Sequence, residues 1–456
     1  LLILFNVSII ILLVRKYKNR KKIYQPINKC RICGNKKLTK ILSLGKQTLT
    51  SVFVNKNEKK PNVSPLDLIY CDGPYSKVCN LVQLKHTADI GEMYGTTYGY
   101  LSSISPTMIS HLQDVKKLTN KHVKLKKNDR ILDIGCNDGT LLNLFAKDKK
   151  EIKLTGIDPS SSKFRKLFNK RIQVIEKFFN KGNILKHVGN VKFKAITSIA
   201  MFYDIDNPSS FVKDISDLLD DNGIWIVEVA YLSTMMKNLA YDQIMHEHLT
   251  YLGFKQMHWL IKENNLKIID FSTNLINGGS IIITVAKNKS KLKSNKSKIN
   301  NFLTREKKYI NSNSLKLFKK RVESHKKKVV SVLNSLKKQS KKVIGYGAST
   351  KGNVIINYCK ITKKLIPKIC DENKMKDGQI TPGSRIPIIT KQAMRKYNPD
   401  FLYVFIWPFR KEVLITEKDF IQKGGTMIFN LPKVHFINKK NYNFYLNSSL
   451  EDLSFK

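Results

Sequence analysis

Ile131-Leu-Asp-Ile-Gly-Cys-Asn-Asp-Gly-Thr140 is the stretch on which the fold turns. Ile131, Leu132 and Ile134 have the apolar, β-branched character of an interior strand, and Gly135 opens a turn into what reads as a helix. Gly135 and Gly139 let the backbone approach a ligand with no Cβ in the way. Asp133, at the strand end, can meet a cationic group. A second strand, Lys153-Leu-Thr-Gly-Ile-Asp158, ends in an acidic residue about 20 positions further on, where a carboxylate can accept both hydroxyls of a ribose. Beyond it, strand-like 172–175, strand 195–199, amphipathic helix 209–219 and strand 224–229 alternate as a doubly wound α/β sheet requires.

The glycine spacing narrows the ligand. A dinucleotide loop would read Gly-x-Gly-x-x-Gly to make room for a pyrophosphate, whereas this loop is Gly135-x-x-x-Gly139 with Asn137 and Asp138 between. Such side chains repel a diphosphate and suit a sulfonium or an ammonium. The pattern resembles class I S-adenosylmethionine-dependent methyltransferases. That resemblance implies Asp133, Gly135, Asn137 and Gly139 around the cofactor, Asp158 on its ribose, and Phe178 beside it. A tight strand-to-helix turn with no ligand is the blander alternative.

A chain of 456 residues suggests about three domains. A formal charge of +47 raises the question of nucleic acid. Lysine is spread over helix exteriors and linkers, however, and no basic stretch is interleaved with stacking aromatics, so no nucleic-acid partner is expected. A positive surface suits an anionic small molecule. Residues 1–14 are almost wholly apolar and precede the basic run 15–22. They are short for a span, which needs about 20 residues, and lack the flanks of a secretory signal. A membrane contact through residues 1–22 is the alternative to a cytoplasmic protein.

Four of seven cysteines cluster early: Cys30-x-x-Cys33, then Cys71 and Cys79. A Cys-x-x-Cys turn joined by a second pair about 40 residues later is how a closed structural zinc site is assembled. The second pair is irregular, with Asp-Gly-Pro-Tyr-Ser-Lys-Val as a looped insertion, and His86 is a substitute for one ligand. Reduced, unliganded cysteines are the alternative. The flanking Leu44-Gly-Lys-Gln-Thr-Leu49 and Cys79-Asn-Leu-Val-Gln-Leu84 resemble the zinc-binding N-terminal domain of sugar C-methyltransferases. In that family the segment matched by Tyr94-Gly-Thr-Thr-Tyr98 lies at the substrate mouth, which makes Tyr94 and Tyr98 substrate-binding candidates; a domain-junction core is the other reading.

Tyr241-Asp-Gln-Ile-Met-His246-Glu247-His248 adds what a generic methyltransferase frame lacks. A glutamate between two histidines puts a general base beside a carboxylate that can orient it. In an extended stretch His246 and His248 would face the same way, and such a pair can also hold a metal. The segment closely resembles Tyr-Asp-x-Ile-Tyr-His-Glu-His of the sugar C-methyltransferases, with Met245 in place of the last tyrosine. The resemblance implies His248 as base, Glu247 as its orienting group, and His246 or Tyr241 on the substrate. It also implies an anionic 4-keto nucleotide sugar methylated at carbon. Finally, Gly345-Tyr-Gly347-Ala-Ser-Thr-Lys351-Gly is similar to the signature of that family's Rossmann-like C-terminal domain, where Lys351 and Arg385 are candidates for the anionic end of the substrate. The expected organisation is a leader at 1–24, a zinc module at 25–92, a methyltransferase domain at 93–290, a solvated lysine-rich helical linker at 291–340 and the C-terminal domain at 341–456. Methylation of oxygen or nitrogen, NAD-dependent oxidoreduction through Gly345 and Gly347, and a zinc-ribbon nucleic-acid binder are the competing functions.

Overall fold

The computed structural model describes residues 24–93, 101–148 and 151–453. Its centre is a seven-stranded sheet in the order Leu266–Asn274, Ser280–Lys287, Leu219–Ala230, Phe193–Ile199, Arg130–Ile134, Lys153–Ile157, Ile172–Ile175. The last five are mutually parallel, and Ser280–Lys287 runs antiparallel between its two neighbours. Strands buried on both faces must be apolar throughout. Ile131, Ile196, Ile226 and Ile283 are accordingly inaccessible to solvent. The strand order reverses beside Arg130–Ile134, so a crevice opens at the carboxyl ends of the strands, where open α/β sheets bind ligands.

Before this domain lies a four-stranded antiparallel sheet of Leu38–Thr48, Val63–Cys71, Val82–Leu84 and Thr250–Tyr251. Its edge strand comes from the methyltransferase region, two residues after His248: Thr250 pairs with Gln83 and Tyr251 with Val82. The zinc module and the His-Glu-His segment are therefore one hydrogen-bonded unit.

The C-terminal sheet runs Ile388–Ile389, Ile369–Cys370, Val343–Tyr346, Phe401–Val404, Thr426–Phe429, His435–Ile437, parallel except for the last strand. It reaches back to the first module through Gln379–Ile380, which pairs with Val54–Asn55. The expected solvated linker holds two helices, Lys296–Tyr309 and Ser312–Lys338, and here the expectation needs correction. Helix Ser312–Lys338 has lysines on one face only; Leu315, Phe318, Val322, Val329 and Leu333 on the other are part of the core shared with the C-terminal sheet. Apolar residues at helical spacing bury a stripe whatever the charge opposite. Among the described residues no helix is long and apolar enough to cross a membrane, and residues 1–22 lie outside them.

Candidate functional site

The loop after Arg130–Ile134 is built for a ligand at its backbone. Gly135 and Gly139 have φ of 73° and 77°, and a Cβ on Gly135 would come within 2.8 Å of Met201 Cγ. Asn137 is also left-handed, at φ 49°. Its amide nitrogen donates to Asp158 Oδ2 (3.0 Å), while Ser160 donates to Asp158 Oδ1 from its amide (2.7 Å) and its hydroxyl (2.6 Å). Three of the roughly four acceptor positions of this carboxylate are thus used within the protein. The loop holds this carboxylate in place, and its remaining acceptor capacity is what a ribose would use. Asp138 accepts from Ser103 N (2.8 Å), which ties the loop to the turn Ser102–Ile104.

Asp133 lies beneath the loop. It accepts from Thr197 Oγ1 at 2.6 Å, and burial, with the charges of Asp158 and Asp138 behind it, raises its carboxyl to about 7. Among the described residues no cation relieves that cost. A buried carboxylate set among other carboxylates fits a cofactor carrying an ammonium and a sulfonium. Phe178, after the third strand, is about half exposed.

His246, Glu247 and His248 lie in a turn rather than the expected extended stretch, with His248 N bonded to Met245 O at 3.1 Å. The two histidines consequently part company. His246 Nε2 faces the Ser64 carbonyl at 3.0 Å, which makes that nitrogen the protonated one and leaves Nδ1, which has no partner among the described residues, as an acceptor. His248 packs against the Tyr203 ring, with centroids 4.3 Å apart, and the Gln243 carbonyl favours its protonated form. Burial lowers His246 to about 4. Burial and then the positive charge of Lys351 lower His248 to about 3. Both rings are neutral near pH 7, as a base awaiting a proton must be. Glu247 is shifted upward by burial, with the Ser51 hydroxyl opposing, yet neither carboxylate oxygen completes a hydrogen bond.

The four cysteines converge. Cys30 and Cys79 sulfurs are 3.5 Å apart, as are Cys33 and Cys71, and all four lie within 4.8 Å of one another. Zinc–thiolate bonds of about 2.3 Å in a tetrahedron put sulfurs about 3.8 Å apart, so the set fits a closed structural zinc site. The insertion between Cys71 and Cys79 closes as a turn on Pro74. His86 is not in the cluster; its ring lies edge-on to Tyr24. Lys255, from the helix Phe254–Glu263, donates to Tyr75 O, Val78 O and Asn80 Oδ1 at 2.6–2.8 Å. It fastens the metal loop to the catalytic domain and sets a cation beside the thiolates.

Other candidate residues scatter. Tyr94 and Tyr98 lie outside the described residues. The Tyr241 hydroxyl is turned away from the histidines, toward His325 Nδ1 (3.0 Å) and Cys359 Sγ (3.6 Å) in the junction with the C-terminal domain. A fully buried phenol takes whatever partner the packing provides. Arg385 donates to the Lys56 carbonyl at 2.7 Å, at an exposed contact. Lys351 does reach the site: its ammonium donates to Asn277 O at 3.1 Å and acts electrostatically on His248 and Asp242. Sequence reasoning missed Asp242, which is wholly buried and accepts from Trp407 Nε1 at 2.8 Å. It also missed the His111–Glu228 pair, 2.5 Å apart, with Asn274 on the other glutamate oxygen. Asp242, within the Tyr-Asp-x-Ile run, carried the one local signal: an acid in an otherwise apolar segment.

Three family models match in succession: a zinc binding domain over residues 30–94, a methyltransferase domain over 108–270 and a C-methyltransferase C-terminal domain over 275–432. The C-methyltransferase NovU of Streptomyces niveus is 25% identical over 92% of this chain and 99% of its own. The sphingolipid C9-methyltransferase 2 of Gibberella zeae is 31% identical over 29% of this chain and 27% of its own. Among solved structures, the plantazolicin methyltransferase BpumL, in complex with a monoazolic desmethylPZN analog and SAH, is 15% identical, with 41% of this chain and 87% of that chain covered at a TM-score of 0.34.

Proposed function

This chain belongs to the S-adenosylmethionine-dependent C-methyltransferases with a zinc-binding N-terminal domain, and from that premise we propose that its acceptor is a keto sugar carried on a nucleotide, worked on in the cytoplasm. One observation carries the reading. Where helix Thr350–Tyr358 meets the Tyr241–Gln243 turn and the Thr50 carbonyl, buried polar atoms from all three units have no partner among the described residues: Thr50 Oγ1, Asp242 Oδ1, Gln243 Nε2, His246 Nδ1, both Glu247 oxygens and Asn353 Oδ1. Buried polar groups are normally satisfied, and a dense cluster of exceptions asks for a ligand rich in hydroxyls. The sphingolipid relatives bring a second reading, a lipid acceptor. It is disfavoured because an acyl chain would leave the same atoms unpaired in an apolar contact.

The chemistry follows from the residues. Asp133, Gly135, Gly139 and Asp158 would hold S-adenosylmethionine, which when bound would supply an electrophilic methyl group. His248 takes a proton from the carbon next to the ketone, at the ring nitrogen that does not face Gln243. Glu247 and His246 hold sugar hydroxyls and fix the ring so that the carbanionic carbon points at the methyl group; positioning of this kind provides much of the rate. The excess of lysine suits the diphosphate.

The test is to incubate the protein with a panel of keto nucleotide sugars, S-adenosylmethionine and deuterated water, read by mass spectrometry. A gain of one methyl group on carbon, with deuterium at the neighbouring position, supports the proposal. Methylation of oxygen or nitrogen, or turnover of a lipid acceptor alone, refutes it.

A further inference from the structure

We infer that Lys351 is a catalytic residue: its ammonium, delivered by the C-terminal unit, receives the negative charge that develops on the substrate carbonyl oxygen as His248 removes the adjacent proton. The inference rests on the keto-substrate reading above. Notice first how differently two lysines of this chain are satisfied. Lys255 spends all three ammonium protons on protein oxygens, as a lysine with a structural role does. Among the described residues Lys351 spends one, on Asn277 O at 3.1 Å.

The lysine is also held from both sides. It stands in the first turn of the helix Thr350–Tyr358, whose N-cap Ser349 accepts from Gly352 N. Asp242, from the methyltransferase domain, favours the charged form of Lys351 through space. The aspartate is itself fixed by Trp407 Nε1 at 2.8 Å, and its other oxygen is unpartnered. The acceptor Asn277 belongs to a strained loop: it has φ 55°, and Gly278 behind it packs against Trp407. Asn238 Nδ2 donates to Gly278 O at 3.0 Å and keeps that loop in place. Helix Thr350–Tyr358 packs against the Tyr241–Gln243 turn that leads into His248, and an ammonium with protons to spare there is the arrangement that stabilises an oxyanion.

The step balances. The C–H electron pair becomes the enolate double bond while the proton passes to the His248 ring. The carbonyl π pair moves to oxygen and meets Lys351. The enolate carbon then takes the methyl group, and the S–C electron pair returns to sulfur, which leaves as a neutral thioether.

The test compares wild type, Lys351→Met and Lys351→Arg on a keto nucleotide sugar. For Lys351→Met, methyl transfer and solvent-deuterium exchange should fall together by about 10²–10³-fold, with S-adenosylmethionine affinity within twofold of wild type; Lys351→Arg should recover part of both. Loss of the neighbouring charge should also move the His248 titration, read by NMR on labelled histidine without substrate, to higher pH. Exchange at the wild-type rate with only a raised KM would overturn the assignment and make Lys351 an anchor for the anionic end. An unmoved His248 titration would overturn it independently of any substrate. Wild type that exchanges no proton from any keto sugar would instead overturn the substrate reading, and the enolate role with it. Should Lys351→Met fail to fold, Lys351→Gln, which also removes the charge, decides the same question by the same exchange and titration.

Discussion

Replacing Asp133 with Asn should make the cofactor-free protein more stable and the cofactor harder to bind. Asp133 is buried, and its carboxyl is raised from an ordinary value near 3.8 to about 7. Folding therefore costs the wild type about three powers of ten in proton affinity, or about 4 kcal/mol at 1.36 kcal/mol per decade. The sign follows from which state holds the proton. The native state binds it more tightly, so stability from this group is complete below about pH 4, drains away as pH rises toward 7, and is wholly lost above 7. Asparagine keeps the acceptor for Thr197 Oγ1 and has no titration. The advantage of the variant should thus be near zero at pH 4, grow by about 1.4 kcal/mol per pH unit, and level off at about 4 kcal/mol by pH 8. Urea unfolding of both proteins at pH 5 and 8, followed by tryptophan fluorescence, gives the difference directly, because every other titration is common to the two. Saturating S-adenosylmethionine should reverse the ranking at pH 8, since only the wild type offers a negative charge to the ammonium or sulfonium. A variant no more stable than wild type at pH 8, or one that binds the cofactor as tightly, would refute the reasoning.

Three further outcomes can be checked alongside the Lys351 variants. His248→Asn should abolish deuterium exchange at the acceptor carbon while calorimetry shows unchanged cofactor binding; normal exchange would move the base elsewhere. Zinc chelation should lower the melting temperature and extinguish methyl transfer, because the metal-bearing sheet takes Thr250–Tyr251 as its edge strand; a chelated protein that keeps its activity would uncouple the two. Gly279→Ala should cost more than about 2 kcal/mol, since the residue has φ 120° and its Cβ would fall 2.1 Å from Thr234 Cγ2. Thr234→Ala should recover only part of that in melting experiments, as Thr234 Cβ would still be 2.7 Å away.

The parts legible in sequence were those whose chemistry is local. The apolar run at Ile131–Ile134 closed by Gly135 read as an interior strand running into a turn, because no polar strand survives with both faces covered. Two cysteines two residues apart, with another pair downstream, carried the thiol cluster in the same way. Helix Ser312–Lys338 shows the limit of such reading: its lysines dominate composition, while Leu315, Phe318, Val322, Val329 and Leu333, at three-, four- and seven-residue spacing, decide its burial, and what they pack against lies far along the chain.

The site depended on which distant segments met. His246 and His248 diverge because the chain turns at Met245, and no alternation rule foresees a turn without glycine or proline. Tyr241 has the same sequence surroundings as Asp242, yet one faces His325 and the other Trp407. Lys351 became a neighbour of His248 only once the C-terminal helix had docked. Sequence alone pointed to the central strands, the glycine loop and the cysteine pairs, because each of these signals is carried by residues a few positions apart. The tertiary structure decided which polar groups share the buried space between the three units, since electrostatics and desolvation act through distance in space and not along the chain.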